Sequence, residues 1–376
     1  MIRATFSIVS LIAAVALVAS PASAVTWTDT GTTPTSWNVN TNWGAGPFPN
    51  ATDAVADMNV DVTVNQTVNL NLAITVGALN LGDTNSTHTS TIAPAGGSLT
   101  FDVTAGNAAL TKAASTFAGI DAIISAPVVL SDNLNITNNT PYVVNSVAGA
   151  VQLSGGISDG GSGNGITKLG TGVMSLTGGA ANTYSGATRV EQGTLVVQAA
   201  NSIPDASPIS VIATGAGTTA VLRWGLGNAG VADTIGNLTL GGTTTTSQAI
   251  VNMSFNQTLT LNGNVTYDAT NNPLGALIGA GTGGSPWSSG TVNLGGGTRT
   301  FNVGDSSSAG TDVAILHRIQ NGSMIKDGFG RLDFNMASGL NTLTNVWVKR
   351  GQAFAFQPGG MSASVTIGDA SGSDSA

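Results

Sequence analysis

Five of the eleven Lys/Arg residues of this chain, Arg318, Lys326, Arg331, Lys349 and Arg350, fall between positions 318 and 350, with Asp327 and Asp333 among them. Cations grouped in this way can neutralise the carboxylate of a uronic acid while a nearby base abstracts a proton, which is lyase chemistry. Glycoside hydrolysis would instead need two carboxylates at a set separation. On stacked strands the cluster would become a basic groove for an anionic glycan such as pectin or alginate. The competing reading makes Lys326 one position of a structural repeat and the others solvated edge residues. We therefore assign no catalytic residue and carry the five cations forward only as a speculative anionic-glycan patch.

Other chemistry is sparse. His88 and His317 are the only histidines, far apart and without ligand spacing, and each is expected in an exposed loop or at an edge. Asp53, Asp57 and Asp61 recur every four residues, which in a strand spreads them about 13 Å, too far for one calcium ion. The run Asp159-Gly160-Gly161-Ser162-Gly163-Asn164-Gly165 occurs once, whereas calcium-binding glycine-rich sites need stacked copies. We read it as a flexible bend. Gly170-Thr171-Gly172 lacks the third glycine of a phosphate loop, and no Gly-x-Ser-x-Gly elbow occurs. With no cysteine there is no thiolate chemistry. No metal or cofactor is expected.

The elements that would position such residues are β-strands. From Val60 to Val76 apolar residues occupy every second place, with one slip at Gln66-Thr67. Leu79-Asn80-Leu81, Leu99-Thr100-Phe101, Leu134-Asn135-Ile136, Leu238-Thr239-Leu240 and Leu259-Thr260-Leu261 alternate likewise, separated by Gly and Asn punctuation. One unit recurs. Lys168, Gly170, Gly172, Met174, Leu176, Val190 and Gly193 return as Lys326, Gly328, Gly330, Leu332, Phe334, Val348 and Gly351, each 158 positions on. Upstream, residues 75–82 match 234–241 and residues 98–101 match 258–261 in the same order. The chain therefore reads as two tandem modules of a β-solenoid. Lys168 to Val190 and Lys326 to Val348 are both 22 residues, suggesting coils of that size, roughly 16 of them. Asn and Thr side chains are expected to form ladders along the stack.

Composition agrees with this picture. Charged residues make up 8% of the chain and glycines number 51, so long helices are not expected. A net charge of −8 disfavours nucleic acid as a partner. Residues 1–24 read as a signal peptide: Arg3, an apolar run over Ile8–Ala19, and Ala22-Ser23-Ala24 as the cleavage site. The run is too short to cross a bilayer comfortably, and no transmembrane segment is expected in the mature chain. Residues 25–58 hold Trp27, Trp37 and Trp43, read as a cap on the first open coil, with sugar stacking as the weaker alternative. Residues 59–200 and 201–359 are the two modules, and 360–376 a polar tail or truncated continuation.

The segment over 166–197 resembles the autotransporter-associated β-strand repeat of bacterial passenger domains. The resemblance rests on Lys168-x-Gly170-x-Gly172, Leu176, Asn182-Thr183-Tyr184-x-Gly186, Thr188, Val190 and Gly193-Thr194-Leu195. The stretch 324–356 looks like a degenerate copy without the Asn-Thr-Tyr-x-Gly element. Trp37-Asn38 and Asn42-Trp43, followed by Pro47, Pro49 and Asp53, are similar to the start of large secreted proteins that carry this repeat. The resemblance implies an all-β, right-handed parallel β-helix of the pectin-lyase-like type, exported and displayed, with the repeat serving as scaffold. No membrane barrel or sorting tail follows, so the chain is expected to be freely secreted or a piece of a longer one. The function expected is adhesion or display at a bacterial surface or in a matrix, with extracellular glycans or neighbouring surface proteins as partners. The alternatives are a carbohydrate-binding or polysaccharide-degrading β-helix, or a transport-associated part of a longer passenger.

Overall fold

Apolar residues at every second position put one side of most strands inside and the other outward, and that rule builds most of the molecule, although all four residues of Val173–Leu176 are buried. A computed structural model describes residues 23–44, 46–141, 146–177, 182–225, 230–253, 256–279, 290–334, 341–355 and, as backbone, 364–367. The chain is a right-handed parallel β-helix. A 14-stranded parallel sheet forms its first face and a 13-stranded parallel sheet its second. Two separate four-stranded sheets share the third face. Fourteen strands stacked at ~4.8 Å give a first face about 60 Å long. Among the described residues no helix is long and apolar enough to cross a membrane.

The turns come in two sizes. Gln66–Leu70, Ile74–Val76 and Ala78–Asp83 lie in turn on the second, third and first faces, and three more turns of this three-stranded kind follow. Two turns then show no third-face strand among the described residues, running Val173–Leu176 to Thr188–Val190 and Gly193–Val197 to Ile209–Ala213. The same order starts again at Thr219–Trp224, with four three-stranded turns and then two in which no third-face strand occurs among the described residues. The expected uniform coil of 22 residues is thereby corrected. Ile166 faces Thr188, 22 positions on, but Leu134 faces Ile166 across 32 and Val265 faces Phe301 across 36. The 22-residue spacing belongs to the short turns, because a third strand and its bend need the extra residues. Against the expectation of about 16 coils, the described residues form 14 strands on the first face.

Inward residues form one continuous apolar core. Leu79, Leu81, Leu99, Phe101, Leu134, Ile136, Leu240, Leu259 and Leu261 are all fully buried. The slip at Gln66 is a polar residue in an inward place: Gln66 is buried and its amide donates to the Asp29 carbonyl. At the bends asparagine carboxamides link successive turns. Oδ1 of Asn133, Asn237 and Asn264 accepts the N–H of Gly165, Asn264 and Thr300 at 2.9 Å each. Asn321 Nδ2 donates to Asn293 Oδ1 at 3.0 Å in the same manner.

The N-terminal edge is closed by tryptophan. Ala24–Thr26 is the outermost strand of the first face, and residues 42–44 run antiparallel along its open side. Thr28 N donates to Asn42 O and Gly44 N to Thr26 O, both at 2.8 Å, occupying backbone groups that a free edge would expose. Trp43 packs against Trp27 and Trp37 at 4.9 and 4.8 Å between ring centroids. All three rings are at most 3% exposed, and each indole N–H donates to a carbonyl. None offers an open ring face to a sugar.

Residues 1–22, and with them Ala22 and the apolar run of the leader, lie outside the described residues, as does most of the tail over 360–376. Ala24 opens the first strand opposite Val55.

Candidate functional site

The recurring element is a corner built around a buried lysine. In Ile166–Leu169 the alternation sends Ile166 and Lys168 inward, so Lys168 sits between Ile136 and Val190 in the stack. It is 1% exposed. Its ammonium reaches the bend and donates to the carbonyls of Leu169 at 2.6 Å, Gly170 at 2.7 Å and, one turn on, Gln192 at 3.2 Å. Three N–H bonds meet three acceptors. Lys326 repeats the arrangement, donating to Asp327 and Gly328 at 2.8 Å and to Arg350 O at 3.1 Å. Burial pulls Lys168 down to about 7 and Lys326 to about 8. Asp327 and Asp312 oppose the fall at Lys326, and Arg350 adds to it.

Glycine is required where the bends of consecutive turns stack. Gly170, Gly193, Gly328 and Gly351 have φ of 74°, 69°, 77° and 73°. A Cβ on Gly193 would overlap the carbonyl oxygen of Gly170, and one on Gly351 would meet that of Gly328. Gly172 and Gly330 press on Asn138 and on the Gly304 carbonyl in the same way. Leu176, Val190, Leu195 and Phe334 are buried beneath these bends, with Val348 half-buried.

Where no third-face strand occurs among the described residues, side chains tie the turns instead. Asn182 Oδ1 accepts Ile157 N–H at 2.8 Å and its Nδ2 donates to Ser202 O at 2.6 Å, tying the turns on either side. Tyr184 fills the interior, its hydroxyl 2.6 Å from Thr188 Oγ1, and burial raises its pKa. Gly186 packs on the backbone of Asn164. Asp159 holds the glycine-rich run in shape, so the expected flexible bend is corrected to one wrapped around a carboxylate. Its oxygens accept Gly161 N–H at 2.9 Å, Gly163 N–H at 2.8 Å, Asn164 N–H at 3.0 Å and Ser185 Oγ at 2.6 Å. Burial raises the Asp159 pKa, but these hydrogen bonds outweigh it and lower it to about 2.

The second copy is less degenerate than its sequence implied. Asn341 Oδ1 accepts Ile319 N–H at 2.8 Å, and Thr342 N–H donates to Ile319 O as Thr183 N–H does to Ile157 O. Asn341-Thr342-Leu343 thus takes the place of Asn182-Thr183-Tyr184, shifted by one position and with buried Leu343 for the tyrosine. A fixed offset of 158 hid it. A third buried lysine was also missed: Lys112 donates to Ala113 O at 2.8 Å and lies 3.0 Å from Asp121 Oδ2. Burial lowers its pKa while Asp121 raises it. Its signal was the spacing of two from inward Ala108 and Leu110.

The five cations read as a glycan patch do not form one groove. Lys326 is wholly inside. Arg318 lies on the third face, donating to Thr291 Oγ1 at 3.2 Å. Arg331 is on the second face, its guanidinium paired with Asp333 at 2.7 Å. Lys349 and Arg350 occupy a bend, where Arg350 pairs with Asp327 at 2.6 Å. The chain brings together only fragments of the cluster and neutralises two of its members. His317, expected in an exposed place, is 1% exposed with Nε2 3.0 Å from Met253 O. Among the described residues no group of three His, Asp or Glu converges to hold a metal ion.

Residues 166–197 match the family model of the passenger-associated transport repeat. The match begins at the inward strand carrying Lys168 and ends with Gly193–Val197, so it covers the lysine corner, the asparagine bridge and the step into the next turn. No curated protein and no solved structure matches the chain.

Proposed function

We propose that this chain is a non-catalytic extracellular scaffold, an autotransporter-like passenger or surface protein that presents a long rigid β-helix for adhesion or display. The observation that carries the reading is the transport-repeat match falling on the lysine corner, an interior device with no open reactive group. Such repeats belong to passengers that are secreted or exposed at the surface. Potentially reactive lysines are spent on backbone carbonyls, and the outer faces present Thr, Ser and Asn suited to many weak contacts. Extracellular glycans or neighbouring surface proteins would be the partners, with residues 1–24 as the export signal.

A second reading has its own support, since the matched repeat is transport-associated. The short turns fix register through Lys168 and Asn182 with few residues per turn, a property suited to templating a solenoid as it emerges from a membrane. Fractionation of a bacterial host expressing the full chain tests the scaffold reading. A product in the medium or on protease-accessible cell surface, with a mass beginning at Val25, is expected. An unprocessed cytoplasmic product would overturn it.

A further inference from the structure

We infer that the outer surface of the first face carries a binding groove for a neutral oligosaccharide, centred on Thr167 and Arg189. This deepens the display reading by naming a ligand class, and it rests on that reading only for the supply of extracellular glycan.

A groove of about 500 Å³ crosses four successive turns, from Asn107 to Arg189. Stacked strands set that span at about 15 Å along the axis. Its floor follows from the stacking rule. Gly165 and Ala187 are among its lining, and a Cβ on Gly165 would overlap the Ala187 carbonyl oxygen, so no larger side chain can occupy that place. Asn135, Thr167 and Arg189 stand beside it as one outward column in direct register, and Glu191 follows Arg189 by two positions.

The polar groups in this column are largely unspent. The Arg189 guanidinium and the Glu191 carboxylate make no hydrogen bond or ion pair with any described residue, although they share a lining. Asn135 uses its Oδ1 to accept from Asn107 at 3.3 Å, and Asn133 its Oδ1 to accept from Gly165, which leaves both amide NH₂ groups for a ligand. The Thr167 hydroxyl is similarly open. The groove therefore offers both donors and acceptors, and its one cation is balanced by one anion.

That balance selects the ligand. A sugar hydroxyl both donates and accepts, so a mixed lining of carboxamide, hydroxyl, guanidinium and carboxylate suits it. A polyuronate or nucleic acid needs an excess of cations, which the groove lacks and the net charge of −8 opposes. A peptide added as a strand needs a free sheet edge, but these strands are paired on both sides. In the second copy the corresponding column is Thr300, Ile325 and Trp347, where hydroxyl, alkyl and indole replace the amide, hydroxyl and guanidinium.

The test is calorimetric titration of the purified chain with linear glucan, xylan and mannan pentasaccharides, and with oligogalacturonate as the charged comparison. At least one neutral ligand should bind, and Arg189→Ala, Glu191→Ala and Thr167→Tyr should each weaken it tenfold or more without changing the melting temperature. Trp347→Ala should leave binding unchanged. Absence of binding by every neutral ligand at millimolar concentration, undiminished binding in the three variants, or preference for oligogalacturonate would each overturn the groove. Secretion is read independently by fractionation, so failure here leaves the scaffold reading standing.

Discussion

The two copies of the corner, residues 166–197 and 324–356, share an interior and differ on nearly every outward position. Inside, each buried ammonium donates to three carbonyls, each bend uses glycine at positive φ, and each asparagine bridge accepts an N–H at 2.8 Å. On the outer side, Thr171 becomes Phe329, Arg189 becomes Trp347 and Glu191 becomes Lys349, while Val173, Ser175 and Val196, which point away from the main core but are buried, become Arg331, Asp333 and Phe354. Phe329 is 71% exposed beneath the Arg350 guanidinium, and Arg331 covers Phe354 at 4.3 Å. Stacking geometry constrains one side of each strand, leaving the other free to specialise. Function in such a molecule belongs to the outward columns, and the shared corner belongs to folding.

The comparison breaks most readily at the glycines. Gly193→Ala and Gly351→Ala each place a Cβ against a backbone carbonyl in a left-handed bend, and each should destabilise by about 3–4 kcal/mol. Urea unfolding followed by circular dichroism would measure both. A much smaller loss at Gly351 would show that the second corner is looser than its geometry implies.

Next in size are the lysines. Lys168→Met and Lys326→Met strand three carbonyl oxygens each, and a loss of about 2–4 kcal/mol is expected near neutral pH. The pH profile separates the copies. Unfolded lysine keeps its proton up to 10.5, whereas folded Lys168 sheds it above about 7. Between those values the unfolded chain binds more protons, so this lysine makes stability rise with pH from about 7 to 10.5. For Lys326 the rise starts at about 8, since Asp327 and Asp312 offset part of the burial effect. The Lys168→Met variant should lose the rise between about 7 and 8 and keep the part that Lys326 supplies above about 8. An unchanged profile would mean that the carbonyls hold the ammonium charged throughout.

Tyr184 and Leu343 occupy equivalent interior places in the two copies. Tyr184→Phe deletes the hydroxyl that meets Thr188 and should cost about 1 kcal/mol, while Leu343→Met, with no hydroxyl at stake, should cost less in the same unfolding assay. Equal costs would mean that the tyrosine serves only to fill volume.

Much of this architecture was legible from alternation. Inward leucines spaced by two, asparagine and glycine at bends, and the 158-residue recurrence all report on positions where stacking leaves one choice of side chain. Other features escaped. The number of turns did, because Asn182 does the work of a third-face strand without looking like one. The second asparagine bridge did, because a one-residue shift and a Tyr-to-Leu change sit inside an otherwise gapless match. The cation cluster misled, because nearness in sequence says nothing about which face a residue reaches once the chain turns between Arg318, Lys326 and Arg331. The groove at Thr167 and Arg189 joins residues up to 84 positions apart, from Asn107 to Glu191, and only strand register reveals it.

The smallest expected effect tests the division between interior and exterior most directly. Converting the outer surface of the second corner toward the first, with Phe329→Thr and Arg350→Gln, removes an exposed ring, a guanidinium above it and an ion pair with Asp327. The side chain of Arg350 is 47% exposed, so solvent screens the pair and its worth in stability is slight. The backbone carbonyl of Arg350, which Lys326 uses, is retained by glutamine. The double variant should therefore unfold within about 0.5 kcal/mol of the parent. A loss well above that would mean that the outward side chains also hold the bend, and the second corner would then depend on its surface in a way the first, with Thr171 and Gln192 at those places, does not.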